Sequence, residues 1–236
     1  IGVGRDITEK KEAEKQLIWK ELSRILAHEI KNPLTPIQLS VQRLEEKFEC
    51  DREKFQQIFP QSMDIITQEV ANLQKLAASF SSFAKNINPE KSEFCATEAI
   101  KEIVRPYQND YNLSLEGDAF CRIRWDRTHF YQVITNLLQN AIDASQPETP
   151  IVLKTEHRPQ AVCIQIADKG KGIALEDVPK IFQPYFTRKK KGTGLGLALV
   201  HKLCEVNGAE ISVESQVGSG TTFTIVTECT DENTDN

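Results

Sequence analysis

Hydrophobic residues recur at alternating steps of three and four in the first part of the chain. Such spacing puts the apolar side chains on one side of an α-helix and predicts helices that pack against other helices. The first series predicts a helix from about residue 8 to residue 48, and the second predicts another that ends before Pro89. The two series are Leu34, Ile37, Val41, Leu44 and Phe48, and then Ile66, Val70, Leu73, Ala77, Phe80 and Ala84.

A polar break from Cys50 to Lys54 separates the two predicted helices and is typical of the turn of a helical hairpin. Pro33 and Pro36 predict a bend in the first helix, and Pro60 predicts either a new segment or a kink in the second. One hairpin cannot cover the apolar sides of both helices by itself. We therefore expect a homodimer in which two hairpins form a four-helix bundle.

The pattern changes after a short linker from Pro89 to Ser92, and strands now alternate with helices. Asp126 is a predicted helix N-cap and Gly208 a predicted C-cap. Helices are predicted at 97–108, 126–144 and 195–207, and strands at 112–115, 121–125, 151–156, 161–167, 211–215 and 221–228. The predicted fold class is therefore α+β, with the helical hairpin followed by an α/β sandwich.

These patterns divide the chain into a helical dimerisation unit at 15–88 and an α/β domain at 89–230. Residues 1–14 lead into the first helix, and the polar residues 231–236 are predicted to be a disordered tail. Because the chain begins at Ile1, without a methionine, we expect it to be the cytoplasmic part of a longer protein.

Composition narrows the class of protein. The formal net charge is −5, which argues against nucleic acid as a partner. The 6 cysteines show no C-x-x-C spacing, so reduced thiols are expected rather than a disulfide framework or a zinc site. No apolar run is long enough to be embedded in a membrane.

A histidine next to an acid stands out in the first predicted helix. His28 and Asn32 are four residues apart and do not continue the apolar series, so they are expected on a more exposed side of the helix. A neutral imidazole is a nucleophile, and Glu29 beside it is a group that can take its proton. Taken alone, such a histidine is most often a solvated surface residue.

Three segments of the second domain carry polar residues suited to a nucleotide. Asn136, Asn140 and Asp143 share one side of a predicted helix, where amide oxygens can coordinate a hard cation such as Mg2+. Asp168, with Gly170 and Gly172, follows a predicted strand and can accept a hydrogen bond from an adenine amino group.

The third segment opens the predicted helix at 195–207. Closely spaced glycines before a helix N-terminus present free N–H donors to an anion such as a phosphate. A basic run precedes them and adds positive charge. The segment consists of Arg188, Lys189, Lys191, Gly192, Thr193, Gly194, Leu195 and Gly196.

These motifs, in this order, resemble those of the sensor histidine kinases. The stretch His28–Pro36 resembles their H-box, and the three later segments resemble the N, G1 and G2 boxes of the Bergerat-fold ATPases. Ile181–Thr187 is similar to the F-box of the kinases' ATP lid, which adds Phe182 to the expected nucleotide site. The resemblance runs from the H-box to about Glu228 and is strongest to the NtrY-like nitrogen-regulation branch.

The resemblance implies an ATP- and Mg2+-dependent protein histidine kinase. It implies that His28 is the phosphoacceptor, that Glu29 accepts its proton, and that Asn140 binds Mg2+ with Asn136 nearby. It further implies adenine recognition by Asp168, a base pocket shaped by Gly170 and Gly172, and a phosphate cradle formed by Gly192, Gly194 and Gly196. Asn32 matches the residue that orients water for dephosphorylation of the partner regulator.

Partners and location are implied by the same kinship. The expected partner is the receiver domain of an NtrX-like response regulator, and the expected location is cytoplasmic, in a parent protein anchored in the cytoplasmic membrane. Residues 1–14 resemble the end of a PAS sensor domain and the start of a signalling helix.

Two positions depart from the family pattern. Arg188 stands where the branch usually has threonine, which leaves open whether it or Lys189 meets the γ-phosphate. Asp143 stands where many histidine kinases carry a lysine, so the phosphate contact of that lysine is not expected here.

Alternative functions share the same residues. Phosphatase action through Asn32 could dominate, or a degenerate kinase could act as an ATP-sensing dimeric scaffold, although intact His28, Glu29 and Asn140 argue against the scaffold. A chaperone- or repair-type ATPase would need a glutamate at the position of Asn136.

Overall fold

The computed structural model describes residue 27 and residues 30–84, 88–118, 120–189 and 192–230. The chain divides into two compact units, with the boundary between Ser81 and Ser82. The predicted PAS-like start at 1–14 and the predicted tail at 231–236 lie outside the described residues.

The first unit is a helical hairpin. Helix α1 covers residues 30–50 and α2 covers Arg52–Ala84. The turn between the two helices is shorter than predicted and consists of Asp51 alone. Asp51 caps α2, because its Oδ1 accepts a hydrogen bond of 3.1 Å from the N–H of Lys54. Both helices continue through their prolines, so Pro60 does not begin a new segment.

Packing within the hairpin covers only part of its apolar surface. The ring of Phe48 near the end of α1 meets that of Phe55 on α2 at a centroid distance of 5.4 Å. Ile58 and Leu76 are buried on α2, whereas Leu34 and Val41 of the predicted apolar series are 46% and 48% exposed. A single hairpin therefore leaves apolar side chains in water.

The second unit is built on a five-stranded sheet in the order β2-β4-β5-β7-β6. Strand β2 is parallel to β4, and the other neighbouring pairs are antiparallel. A separate two-stranded antiparallel sheet joins β1 to β3. The strands are β1 Lys91–Cys95, β2 Leu113–Gly117, β3 Arg122–Asp126, β4 Ile151–Arg158, β5 Ala161–Asp168, β6 Glu210–Gln216 and β7 Gly220–Glu228.

Three α-helices complete this unit: α3 Ala96–Val104, α4 Arg127–Ala144 and α5 Gly196–Asn207. Helix α4 packs against β5, β7 and α5. The core between the helices and the sheet includes the fully buried Trp125, Phe130 and Leu137. The indole N–H of Trp125 donates to the hydroxyl of Thr227 at 2.8 Å, so the buried polar atom is paired. The predicted α/β sandwich is confirmed.

Two elements differ from the prediction. Strand β1 is not among the predicted strands, and its first two residues were assigned to the linker, because its exposed lysine, serine and glutamate hide the usual alternation. Helix α3 ends at Val104 and passes into a 3-10 helix, Arg105–Tyr107. Pro106 has no N–H to continue the α-helical pattern. None of the helices in the described part of the chain is long and apolar enough to span a membrane.

Candidate functional site

A cavity of about 360 Å³ opens in the α/β unit beside α4, which is within the usual size range of small-molecule pockets. Its walls come from α4, the end of β5, the start of α5, strand β7 and residues 174–189 and 192–195, here called the lid segment. The lining residues are Asn136, Gln139, Asn140, Asp143, Ala144, Asp168, Lys171, Gly172, Ile173, Ala174, Asp177, Ile181, Phe186, Thr187, Arg188, Lys189, Gly192, Thr193, Gly194, Gly196, Leu197, Thr221 and Phe223.

The wall on α4 follows from helical geometry. Asp126 caps this helix by accepting from the N–H groups of Thr128 and His129 at 2.9 and 3.0 Å. Burial opposes ionisation of Asp126, but these N–H donors and that of Glu90 outweigh it and lower its pKa. The capped helix buries its apolar side in the core and turns the polar side at Asn136, Asn140 and Asp143 toward the cavity.

The amide of Asn136 is oriented by its own helix. Its Nδ2 donates to the carbonyl of Gln132 at 2.8 Å, which leaves Oδ1 as the acceptor on the other side. A Cβ atom on Gly196 would lie only 3.0 Å from that oxygen. The amide oxygen therefore points at the start of α5, where the first N–H groups have no partner within the helix itself.

Asp168 lies at the end of β5 and is buried. Burial raises the pKa of its carboxyl group and outweighs the opposing effect of N–H donors from Gly170 and Thr221. Its Oδ1 accepts from the N–H of Gly170 at 2.8 Å, and Thr221 is its partner across the sheet on β7. A buried carboxylate with remaining acceptor capacity can select a ligand that offers an N–H donor.

Two glycines shape the loops around the cavity. Gly172 has a φ of +69°, and a Cβ atom there would lie 2.1 Å from the carbonyl oxygen of Gln216. Gly194 has a φ of +65°, and its carbonyl accepts from the N–H of Tyr185 at 2.8 Å. Side chains would be excluded at both positions, so the backbone itself forms this part of the wall.

The adjacent cations Arg188 and Lys189 of the lid segment have different partners. Arg188 makes a bidentate pair with Asp177, with N–O distances of 3.0 and 2.9 Å. The hydrogen bonds and charge of Arg188 lower the pKa of Asp177. Lys189 reaches α4 instead, where its Nζ donates to Asn140 Oδ1 at 2.8 Å and to Asp143 Oδ2 at 2.9 Å. Of the two cations, Lys189 is the one that contacts the α4 wall of the cavity.

The donor set fits a hard cation. Asn140 and Asp143 direct two oxygens at one positive charge, and oxygen ligands are those that Mg2+ prefers. Among the described residues no group of three or more histidine, cysteine, aspartate or glutamate side chains could hold a metal ion. A divalent ion here would therefore take its other ligands from water or from a bound phosphate.

Most of the predicted site residues of this domain line the cavity, but three have other surroundings. Leu195 is buried in front of α5, and Gly170 lies against the carbonyl of Ala144 at the end of α4. The ring of Phe182 packs 5.4 Å from that of His201 and 6.4 Å from that of Phe223, which fastens the lid segment to the core.

The structure describes only one of the predicted site residues of the helical hairpin. His28 and Glu29, like Lys191 of the glycine-rich segment, lie outside the described residues. Asn32 is exposed on α1.

Several residues that line the cavity were not predicted from the sequence as site residues. Thr221 and Phe223 are on β7, far from every motif, and only the pairing of β7 with β5 brings them beside Asp168. Asp177 belongs to none of the sequence motifs, and only the folded structure shows its pairing with Arg188. Phe186 and Thr187 lay within the segment similar to the F-box and were not singled out.

Family comparisons divide the chain in the same two parts. Residues 18–88 match the family model described as "His Kinase A (phospho-acceptor) domain". Residues 125–230 match the model described as "Histidine kinase-, DNA gyrase B-, and HSP90-like ATPase".

Individual relatives agree with these models. The chain is 35% identical over 88% of its length to nitrogen regulation protein NtrY of Azorhizobium caulinodans, and spans 28% of that protein. It is 32% identical over 92% of its length to the sensor histidine kinase ZraS of Escherichia coli, and spans 47% of it. The chain thus covers less than half the length of both relatives.

Solved structures share the fold. The catalytic domain of histidine kinase ThkA is 32% identical, with a TM-score of 0.55, and the match covers 59% of this chain and 95% of that one. The structure of ThkA in complex with the response regulator protein TrrA is 27% identical, with a TM-score of 0.77 over 99% of this chain and 68% of that one.

Proposed function

The chain belongs to the sensor histidine kinases of two-component systems, and from this premise we propose that it uses ATP to phosphorylate His28. The phosphoryl group then passes to an aspartate of a response regulator. In the first step a ring nitrogen of His28 forms a bond to the γ-phosphorus, the bond to the β-phosphate oxygen breaks, and ADP leaves. Glu29 takes the proton of the imidazole. In the second step the regulator's carboxylate attacks phosphorus, the N–P bond breaks, and the ring regains a proton.

One observation carries this proposal. Side chains from segments far apart in the sequence meet around one cavity, with the buried carboxylate of Asp168 in one part of the wall and the oxygens of Asn140 and Asp143 in another. The carboxylate of Asp168 suits the amino group of adenine. The oxygens of Asn140 and Asp143 suit a cation that accompanies phosphates. Phosphoryl transfer depends mostly on such positioning and charge neutralisation.

The residues of the cavity divide the work of holding ATP. We assign adenine recognition to Asp168, the base pocket to Gly170 and Gly172, and the metal to Asn140 with Asn136. Bound Mg2+ neutralises charge on the phosphates. We assign Asp143 to the cation that accompanies the phosphates. The remaining residues that we assign to the lid and the phosphate cradle are Phe182, Arg188, Lys189, Lys191, Gly192, Thr193, Gly194, Leu195 and Gly196.

The kinase is proposed to act as a homodimer. Exposed apolar side chains on α1, including Leu34 and Phe48 at 46% and 60% exposure, support a bundle with a second copy. The proposed substrate of phosphotransfer is an NtrX-like receiver domain, by analogy with the NtrY relative. We also propose domain limits of 15–88 and 89–230, a PAS-like lead-in at 1–14, a cytoplasmic location, and a parent protein anchored in the membrane.

The test is incubation of the purified chain with Mg2+ and γ-labelled ATP, beside His28→Gln. Acid-labile label on the parent and none on the variant is the expected result, because a phosphoramidate bond is broken by acid. Label that survives acid, or equal labelling of both proteins, would contradict the proposal. Binding of ATP to both proteins serves as the control for folding of the α/β unit.

A second activity toward the same regulator is dephosphorylation through Asn32. Its exposed position on α1, four residues after His28, supports access to a docked receiver domain. Asn32→Ala should retain labelling of His28 but lose regulator dephosphorylation. Equal dephosphorylation rates in variant and parent would exclude this role.

A further inference from the structure

Lys189 joins the lid segment to α4. The ammonium group of Lys189 donates to Asn140 Oδ1 at 2.8 Å and to Asp143 Oδ2 at 2.9 Å. The two members of the ion pair are 33% and 42% exposed, so the pair is reached by solvent. Asn140 is also the residue to which we assign Mg2+, so the same amide oxygen has two possible cationic partners.

Neighbouring contacts hold both sides of this pair. On α4, Gln139 Nε2 donates to Asp143 Oδ1 at 2.8 Å, which leaves Oδ2 for Lys189. On the lid, the bidentate pair of Arg188 with Asp177 fixes the residue that precedes Lys189. The approach of Lys189 to α4 is therefore set by contacts on each side of it.

Two cations cannot occupy this position together. An ion bound directly to the Asn140 oxygen would lie about 2.1 Å from it. The ammonium group at its present place would then be only a few ångströms from a divalent charge, and like charges at such distances repel strongly. Binding of the metal therefore requires Lys189 to leave.

We infer that Lys189 and Mg2+ bind alternately to one cation position formed by Asn140 and Asp143. Asp143 is the positioning residue that holds Lys189, and with it the lid segment, against α4. Entry of the metal with its nucleotide displaces the ammonium group and leaves it beside the phosphates. This inference rests on the proposed binding of Mg2+ at Asn140.

The experiment measures hydrogen exchange of lid amides in the nucleotide-free full chain. Suitable probes are the N–H groups of Tyr185 and Gly192, which donate to the carbonyls of Gly194 and Lys189 at 2.8 and 3.2 Å. Asp143→Asn and Lys189→Met should each raise exchange of these amides by about fivefold, because local opening becomes easier. Glu148→Gln removes the same charge from an exposed site after α4 and should leave lid exchange unchanged.

The same samples are then titrated with MgCl2 alone, to about 50 mM, since few protein ligands imply weak binding. In the parent, Mg2+ should speed lid exchange beyond the effect of KCl at equal ionic strength, which controls for screening of an exposed pair. In Asp143→Asn and Lys189→Met, the two salts should act alike.

Either of two results would overturn the inference. Parent-like exchange in Asp143→Asn would mean that the pair does not hold the lid. Equal effects of MgCl2 and KCl on the parent would mean that metal and ammonium do not share a position. Neither measurement uses ATP or His28, so this inference and the proposed kinase activity can fail separately.

Discussion

The two units of the chain bury their hydrophobic residues very differently. The α/β unit encloses Trp125, Phe130 and Ile134 completely, whereas the helical hairpin leaves Val41 and Phe48 about half exposed. The α/β unit has a closed core of its own, and the helical hairpin has an apolar surface suited to another helix. One chain therefore completes the cavity of the α/β unit, whereas the hairpin alone leaves an apolar surface that a second copy is proposed to cover.

The two units also differ in how far apart in the sequence their proposed functional residues lie. The residues proposed for phosphotransfer, His28, Glu29 and Asn32, fall within one short stretch of the sequence. The cavity takes its walls from residues between Asn136 and Phe223, which the sheet and two helices bring together. Four substitutions test this contrast.

The largest effect is expected from opening the α/β core. Trp125→Ala removes a fully buried ring together with its hydrogen bond to Thr227, and such truncations cost about 4 kcal/mol. Calorimetry should show a lower transition for the α/β unit and an unchanged one for the hairpin. A shift of both transitions by the same amount would mean that the units do not unfold independently.

The next effect concerns the cation position of the cavity. Asn140→Ala should weaken binding of the Mg2+–ATP complex by about 100-fold, which is about 2.7 kcal/mol. Metal-free nucleotide should bind both proteins equally weakly in calorimetric titrations. An equal loss with and without metal would instead indicate a general defect of the cavity, and the unchanged melting temperature of the variant serves as the control.

A charge on the exposed apolar side of the hairpin tests its need for a partner. Val41→Glu should weaken self-association by at least about tenfold, since the carboxylate would be buried without a counter-charge. Gln42→Glu adds the same charge at the next residue, which is exposed and polar, and should leave association unchanged. Sedimentation across a concentration series distinguishes them. Identical behaviour of the two variants would contradict the role of this surface.

The smallest effect is expected at the lid. Arg188→Lys keeps the charge but loses the bidentate geometry with Asp177, and nucleotide affinity should fall about threefold. Arg127→Lys, at an exposed pair with Glu102 outside the cavity, is the matched control.

The pH dependence of this pair has a definite sign. Arg188 lowers the pKa of Asp177. The pair therefore contributes to the free energy of unfolding above the ordinary aspartate pKa, and this contribution is lost as pH falls through the lowered value. The difference in free energy of unfolding between parent and Arg188→Lys should therefore stay constant between about pH 5 and pH 8. A difference that vanishes within this range would contradict the assignment.

The helical hairpin and the α/β sandwich could be predicted from the sequence alone. Apolar spacing predicts α2 through its periodic residues, and Asp126 and Gly208 mark the ends of α4 and α5, because these signals depend only on local backbone geometry. Residues that act within one segment, such as Asn136 and Asn140 on one side of a helix, can be predicted for the same reason.

Which of these residues come into contact, and which hydrogen-bond partners they have, depends on the tertiary structure. The pairing of β7 with β5 brings Thr221 to Asp168, and the fold of the lid segment sends Arg188 to Asp177 and Lys189 to Asn140 and Asp143. No periodicity or spacing encodes such contacts, because they join residues far apart in sequence and depend on the packing of whole elements. The choice between two neighbouring cations is therefore made by the folded lid.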